Sequence, residues 1–263
     1  MHRKAMLWFN GFERRAPLYR SFEKDVLGAG KLGCAVLLKV HGINVPIASN
    51  EVSPIIWQAL TGGSYEAKEA RSIFKAVKPG DRVLELGSGI GIITSIIAKI
   101  PNVTVWAFEA NPSTAALARR VIDANDLNNV VLSQGILTAG EPCSFRFYVR
   151  RDLWMSSMDE NQGPYERAIE LSSSNIDEFI ARHDINVLVM DIEGAERDLL
   201  KSADLMGVER IFLELHDHLY GLAGIRDMMH ALADKGYAYD PRGSQGPCVL
   251  FAKDDGVREY EPE

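Results

Sequence analysis

Three clusters of residues in this chain have types and spacings able to do chemistry, and each closes an apolar run that reads as a strand. The first is Glu85-Leu86-Gly87-Ser88-Gly89-Ile90-Gly91. The missing side chains at Gly87, Gly89 and Gly91 let a ligand approach the backbone, and the turn aims the amides of the next helix at it. A dinucleotide fingerprint needs glycine at position 92 after Gly87 and Gly89, and this chain has Ile92. The pattern is G-x-G-x-G preceded by an acid, Glu85, which suits a ligand carrying positive charge better than a pyrophosphate.

The second cluster is Phe108-Glu109-Ala110-Asn111-Pro112. It places Glu109 about twenty residues beyond the glycines, where a carboxylate can accept both hydroxyls of a ribose, with Ala110 and Asn111 beside it. Alone, Glu109 would read as a helix-start acid. Together with the glycine turn it points to S-adenosylmethionine, whose ammonium suits the acid at Glu85. Ser133-Gln134-Gly135, after the next apolar run, falls where an adenine edge could be hydrogen-bonded, although such residues are also ordinary in loops.

The third cluster combines Asp191-Ile192-Glu193-Gly194-Ala195-Glu196 with Glu214-Leu215-His216-Asp217-His218. Asp191 could orient an ammonium, ligate a divalent metal or help deprotonate a hydroxyl, while Glu193 and Glu196 could simply favour a helix start. Strand alternation puts Glu214 and His216 on one face, and a histidine there is a plausible general base. Asp191 and His216 are the expected catalytic pair. Asp191, Glu193, Glu214 and His216 offer oxygen and nitrogen ligands, so metal dependence stays open and no metal ligand is assigned.

These clusters need a scaffold that brings strand ends together. From residue 64 helix and strand patterns alternate: a helix closed by Lys78-Pro79-Gly80, strands near 82–86, 103–108, 130–132, 187–190, 211–215 and 248–252, and helices between most of them. Strands joined through helices pair in parallel by right-handed crossovers with both faces covered, which is a doubly wound α/β sheet. Its ligands sit beyond the carboxyl ends of the strands, where strand order reverses. Ahead of this, residues 4–28 read as amphipathic helix and 35–47 as a hairpin turning at His41-Gly42, with Pro46 on an edge strand. Residues 1–60 are therefore expected to form a helix and hairpin extension or cap, and 61–263 the cofactor domain. Residues 143–170 break the rhythm as an insertion with an exposed strand at 145–149 and a polar loop. Trp57, Trp154, Met155, Met158 and Tyr165 could line an acceptor pocket or belong to the core.

The chain has 263 residues and a net charge of −7, which argues against a nucleic-acid backbone as main partner. Arg14, Arg15, Arg20 and Lys24 read as the polar face of a helix. Cys34, Cys143 and Cys248 lack the spacing of a zinc site or a disulfide framework. No signal peptide or membrane span is visible, and a reducing cytoplasm is the expected compartment. The apolar N-terminal helix could dock on a second subunit, giving a homo-oligomer.

The segments from Gly80-Asp81-Arg82 to Gly91, Phe108 to Pro112, Met190 to Glu196 and Glu214-Leu215-His216 resemble the FkbM family of methyltransferases, over about residues 64–252. The D-x-E-G-A-E run is the most specific of them, and Ser88 stands where many members have alanine. The resemblance implies a Rossmann-like class I methyltransferase fold of seven strands that uses S-adenosylmethionine, mostly for O-methylation of small molecules or sugars. It also implies that Glu66, on the helix before the first core strand, reaches the cofactor. The competing readings are an NAD-dependent oxidoreductase, disfavoured by the glycine spacing, and a non-catalytic cofactor-binding protein on the same scaffold.

Overall fold

The structure, a computed structural model, describes residues 35–253 and Gly256. The helix expected over 4–28, its basic residues, Cys34 and the expected N-terminal subunit contact lie outside the described residues.

β1 (Val36–Val40) and β2 (Ile43–Ile47) pair antiparallel, with Pro46 opposite Leu37. His41 and Gly42 join them at φ 49° and 82°, the left-handed pair that a two-residue hairpin turn requires. An unexpected helix follows, α1 (Pro54–Gly62), whose N-cap Ser53 accepts from the Ile56 amide and whose end is closed by Gly63 at φ 70°. The Ser64 and Tyr65 amides both donate to the Ala59 carbonyl. Ser64 therefore finishes α1 and does not cap α2 (Ala67–Ala76). Glu66 holds that N-cap position, left-handed at φ 50°, without a side-chain capping bond. Its carboxyl is thus free to turn elsewhere.

The main sheet has seven strands in the order β11-β12-β10-β9-β3-β4-β5. They are β3 (Arg82–Leu86), β4 (Thr104–Glu109), β5 (Val130–Gln134), β9 (Val187–Met190), β10 (Arg210–Glu214), β11 (Tyr237–Gln245) and β12 (Cys248–Lys253). β5, β4, β3, β9 and β10 run parallel, while β12 pairs antiparallel with both of its neighbours. The strand at 248–252 is thus reversed, because only the short turn at Gly246 and Pro247 separates it from β11. Strand order reverses between β3 and β9.

α3 (Ile92–Ala98) and α4 (Pro112–Ala124) cover one sheet face, and α5 (Ile176–His183), α6 (Glu196–Ser202) and α7 (Asp217–Asp234) the other. Val40, Ile43, Ile56 and Ile73 are buried in one cluster with Ile97 and Val121, so β1, β2 and α1 share the core of the first face. Asp81 and Arg210 clamp the entries of β3 and β10 with paired contacts of 2.8 and 2.9 Å. The insertion is a small three-stranded sheet of β6 (Ile136–Thr138), β8 (Arg167–Asn175) and β7 (Ser144–Val149), in that order. Its connection at 150–166 wraps around Arg150, 4% exposed, whose guanidinium donates to the carbonyls of Tyr148, Met155, Asp159, Glu160 and Gly163 and to Ser157 Oγ.

Candidate functional site

The three glycines after β3 do three different things. Gly87 has φ +82°, and a Cβ there would sit 1.8 Å from the Asp191 carbonyl oxygen, so it lets the ends of β3 and β9 touch backbone to backbone. Gly91, at φ +84°, would put a Cβ 3.2 Å from Ala118 and serves the packing of α3 on α4. Gly89 faces the ligand space: its missing Cβ would lie 3.4 Å from both Glu66 Oε1 and the Tyr65 hydroxyl. A cavity of about 680 Å³ opens at this point, lined by Gly87, Gly89, Glu66, Glu109, Ala110, Gly135 and Asp191 among others. It lies where an open α/β sheet binds ligands, at the reversal of strand order.

Glu109, 8% exposed, ends β4 and lines the cavity. Its oxygens accept from the Gly89 amide at 2.9 Å and the Asn111 amide at 2.8 Å, which ties the acid to the glycine turn. Burial pushes its pKa up to about 7 against these amides, which hold it down. Asn111 caps α4 by accepting from Ser113, and it supports the loop without lining the cavity.

Glu85, Ser88, Ser133 and Gln134, expected at the cofactor, do not line this cavity. Glu85 points away from the open cavity, buried at 2% exposure and accepting from Thr94 Oγ1 at 2.5 Å. Strand alternation turns it under the glycine turn, where burial raises its pKa to about 8. Ser88 is equally buried and borders the same small void as Glu85, not the main cavity. Ser133 and Gln134 also miss the cavity, since β5 carries them past its rim and Gln134 Nε2 is bonded to the Ala110 carbonyl. The chain turns inward only at Gly135, so that Ile136, Leu137, Thr138 and Ala139 form that wall. Thr138, with a buried and unpartnered Oγ1, was not legible as a site residue.

The third cluster assembles around His216, 5% exposed. Its Nε2 lies 3.4 Å from Asp191 Oδ1 and 3.5 Å from Glu193 Oε2, and its Nδ1 3.2 Å from Glu196 Oε1. Burial alone would lower its pKa, but Asp191 and Glu196 outweigh burial and push it up to about 11. His216 is thus no isolated imidazole but a ring held among three carboxyl groups. Asp191 and Glu193 line the cavity and His216 stands behind them. Glu196, fully buried, accepts from the Ile192 and Gly194 amides and fixes the turn in which Glu193 has φ 52°. Glu214 goes elsewhere: it groups with Glu69 and Cys248.

One wall of the cavity is built by the insertion. Phe145, Phe147, Leu153, Trp154 and Met158 line it, and Trp154 lies 6.2 Å from the Tyr65 ring. Met155 and Tyr165 point outward at 42% and 43% exposure, and Trp57 packs on the core. Gln162 joins the insertion to the third cluster through a 3.1 Å bond from Nε2 to the Glu193 carbonyl.

The strand order, the single reversed strand and the cavity beyond β3, β4 and β9 define a class I methyltransferase fold. The methyltransferase FkbM domain model matches residues 86–239, more than half of the chain, and the chain belongs to that family. No curated protein matches it. Solved structures similar to it include Trm5b from Pyrococcus abyssi, at 15% identity and TM-score 0.48, covering 85% of this chain and 56% of that one. TYW2 from M. jannaschii, in complex with AdoMet, is similar at 15% identity and TM-score 0.46, covering 85% and 86%. Fibrillarin from Aeropyrum pernix, with natively bound S-adenosyl-L-methionine, is similar at 13% identity and TM-score 0.42, covering 85% and 84%. This chain thus spans a little over half the length of the first of these. Among the described residues no helix is long and apolar enough to cross a membrane.

Proposed function

We propose that the chain is an S-adenosylmethionine-dependent O-methyltransferase acting on a hydroxyl of a small molecule or sugar. The observation that carries this reading is the cradle at Gly89, where an absent Cβ, the Glu109 carboxyl and the Glu66 carboxyl converge. The residues present fit the cofactor. Each Glu109 oxygen has a lone pair left after its amide bond, enough for two ribose hydroxyls. Glu66 Oε2 is buried without a partner, a natural seat for an ammonium. When bound, S-adenosylmethionine supplies an electrophilic methyl group on a sulfonium.

The protein's own residues then do three things. Glu109 and the glycine turn fix the nucleoside, and Glu66 holds the amino acid end. The insertion's aromatic side chains press the acceptor against the strand ends and exclude water. Asp191 and Glu193 hold the acceptor hydroxyl and receive its proton, while His216 and Glu196 behind them fix their direction. Alignment of the acceptor for in-line displacement is the main contribution. Carboxylates beside an aromatic wall favour a hydroxyl acceptor of modest size, and a phosphate backbone would be repelled by them. Cys143 and Cys248 are unpaired, which suits a reducing cytoplasm.

Calorimetry with S-adenosylhomocysteine against NAD tests the cofactor. Binding is expected for the first alone, and at a hundred times its dissociation constant it adds about 2.7 kcal/mol to stability. Glu109→Gln should weaken it by about 1.5 to 3 kcal/mol, the worth of charge-assisted bonds. Stabilisation by NAD alone ends the methyltransferase reading. Methyl ether formation across a panel of hydroxylated acceptors tests the rest, and transfer only to nitrogen would replace the acceptor class.

A further inference from the structure

Resting on the reading above and deepening it, we propose that Asp191, Glu193 and His216 form a divalent-cation site that holds the acceptor hydroxyl. One donor atom from each of the three lies within 4.8 Å of the others. The contacts of 3.4 and 3.5 Å from His216 Nε2 are longer than charge-assisted hydrogen bonds, which run about 2.7–2.9 Å. They match two ligands on one ion: metal bonds of about 2.0–2.2 Å set neighbouring ligands roughly 3 to 3.6 Å apart.

Two further observations point to a missing ligand. The His216 side chain is only 7% exposed, and its Nε2 lies within 3.5 Å of both carboxyl groups at once. Asp191 Oδ1 is buried without a hydrogen-bond partner. Behind the ring, Glu196 Oε1 lies 3.2 Å from Nδ1 and is locked by two backbone amides. A carboxylate behind a histidine is what orients a metal-bound imidazole. Two carboxylates with one imidazole suit Mn²⁺, Fe²⁺ or Zn²⁺ better than the all-oxygen ligation of Mg²⁺ or Ca²⁺. Because Asp191 and Glu193 line the cavity, the ion would sit between it and His216. The Gln162 bond to Glu193 links the same turn to the acceptor wall. The Glu69, Glu214 and Cys248 group is a weaker candidate, since its thiol already donates to Glu69 Oε1 at 3.0 Å.

The full chain, freed of metal by dialysis against a chelator, is titrated with Mn²⁺ and followed by electron paramagnetic resonance. One Mn²⁺ per chain is expected, with a nitrogen hyperfine coupling that disappears in His216→Gln. Glu193→Gln should weaken binding at least tenfold, Glu196→Gln by about 10- to 100-fold, and Cys248→Ser not at all. Glu193 is on the cavity wall, so its variant carries the test if the His216 variant fails to fold. Absence of stoichiometric Mn²⁺ or Zn²⁺ binding up to millimolar concentration, a bound ion without nitrogen coupling, or unchanged affinity in Glu193→Gln overturns the site. S-adenosylhomocysteine binding is measured on the same samples. Cofactor binding without the ion overturns the cation site and keeps the methyltransferase reading, whereas ion binding without the cofactor supports the site and removes that reading.

Discussion

Replacing Gly87 with alanine should damage this protein more than the same change at Gly89, although both belong to one glycine turn. At Gly87 the new Cβ meets the Asp191 carbonyl oxygen at 1.8 Å and its carbon at 2.8 Å, both backbone atoms that no side-chain rotation can move. The φ of +82° adds the left-handed cost of a non-glycine residue, roughly 1–2 kcal/mol. Forcing β3 and β9 apart adds an overpacking cost of about 1–3 kcal/mol. The sum is about 2–5 kcal/mol, or roughly 4–20 °C in melting temperature at about 2–4 °C per kcal/mol for a chain of this size. At Gly89 the new Cβ meets only side-chain oxygens at 3.4 Å, ordinary contact, so about 1–2 kcal/mol of backbone cost is expected. There the loss falls on cofactor affinity, at least tenfold, because the methyl fills the cradle beside Glu66. Thermal melts and calorimetry with S-adenosylhomocysteine separate the two. Equal melting temperatures for the two variants would refute the assignment of Gly87 to strand contact and Gly89 to the ligand.

Two further perturbations follow from the same geometry. Glu85 holds its proton in the folded chain up to about pH 8, against an ordinary value of 4.5, so stability falls as pH rises between these limits and levels off above them. Glu85→Gln removes that decline, and urea melts should show the variant gaining about 2–3 kcal/mol on the wild type between pH 6 and pH 9; a gap independent of pH would place the ionised carboxylate in water. Arg150→Ala strips six hydrogen bonds from the connection at 150–166, so limited proteolysis should cut there while S-adenosylhomocysteine affinity stays unchanged. An uncut insertion in that variant would show that the connection holds itself without the guanidinium.

Much of the scaffold was legible because it obeys local rules. Apolar runs closed by polar, Gly or Pro residues mark β3, β4, β5 and β9, and the His41-Gly42 pair marks the hairpin. What escaped depends on contacts distant in sequence. α1 is short, with no polar face long enough to show a period, and Ser64 is claimed by its carbonyls instead of capping α2. β8 and β11 carry polar residues on exposed faces and are recognisable only by their partners. The Asp81–Arg210 clamp joins residues 129 apart in sequence. Within the site, Glu109 and Asp191 stand where strand-end logic puts them. Glu85 and Ser133 do not, because position after a strand fixes the neighbourhood of a side chain and not its direction. Arg150, read as part of an irregular insertion, proves to organise it.

The strand ends carry an acid load that stability alone would not favour: burial pushes Glu85 to about 8 and Glu109 to about 7, and buried carboxyl groups repel one another when ionised. Positive charge in the cavity relieves that repulsion. S-adenosylmethionine is cationic at sulfur and S-adenosylhomocysteine is neutral there, so an ionised Glu109 on the cavity wall should favour the first over the second. Deprotonation of Glu109 should widen the difference. Calorimetry of S-adenosylmethionine and S-adenosylhomocysteine at pH 6 and pH 8.5 should therefore show the affinity ratio moving towards the sulfonium at the higher pH. In Glu109→Gln the ratio should lose that part of its pH dependence. A ratio constant with pH in the wild type would mean that the Glu109 charge is screened from the sulfur, leaving this acid only its role on the ribose.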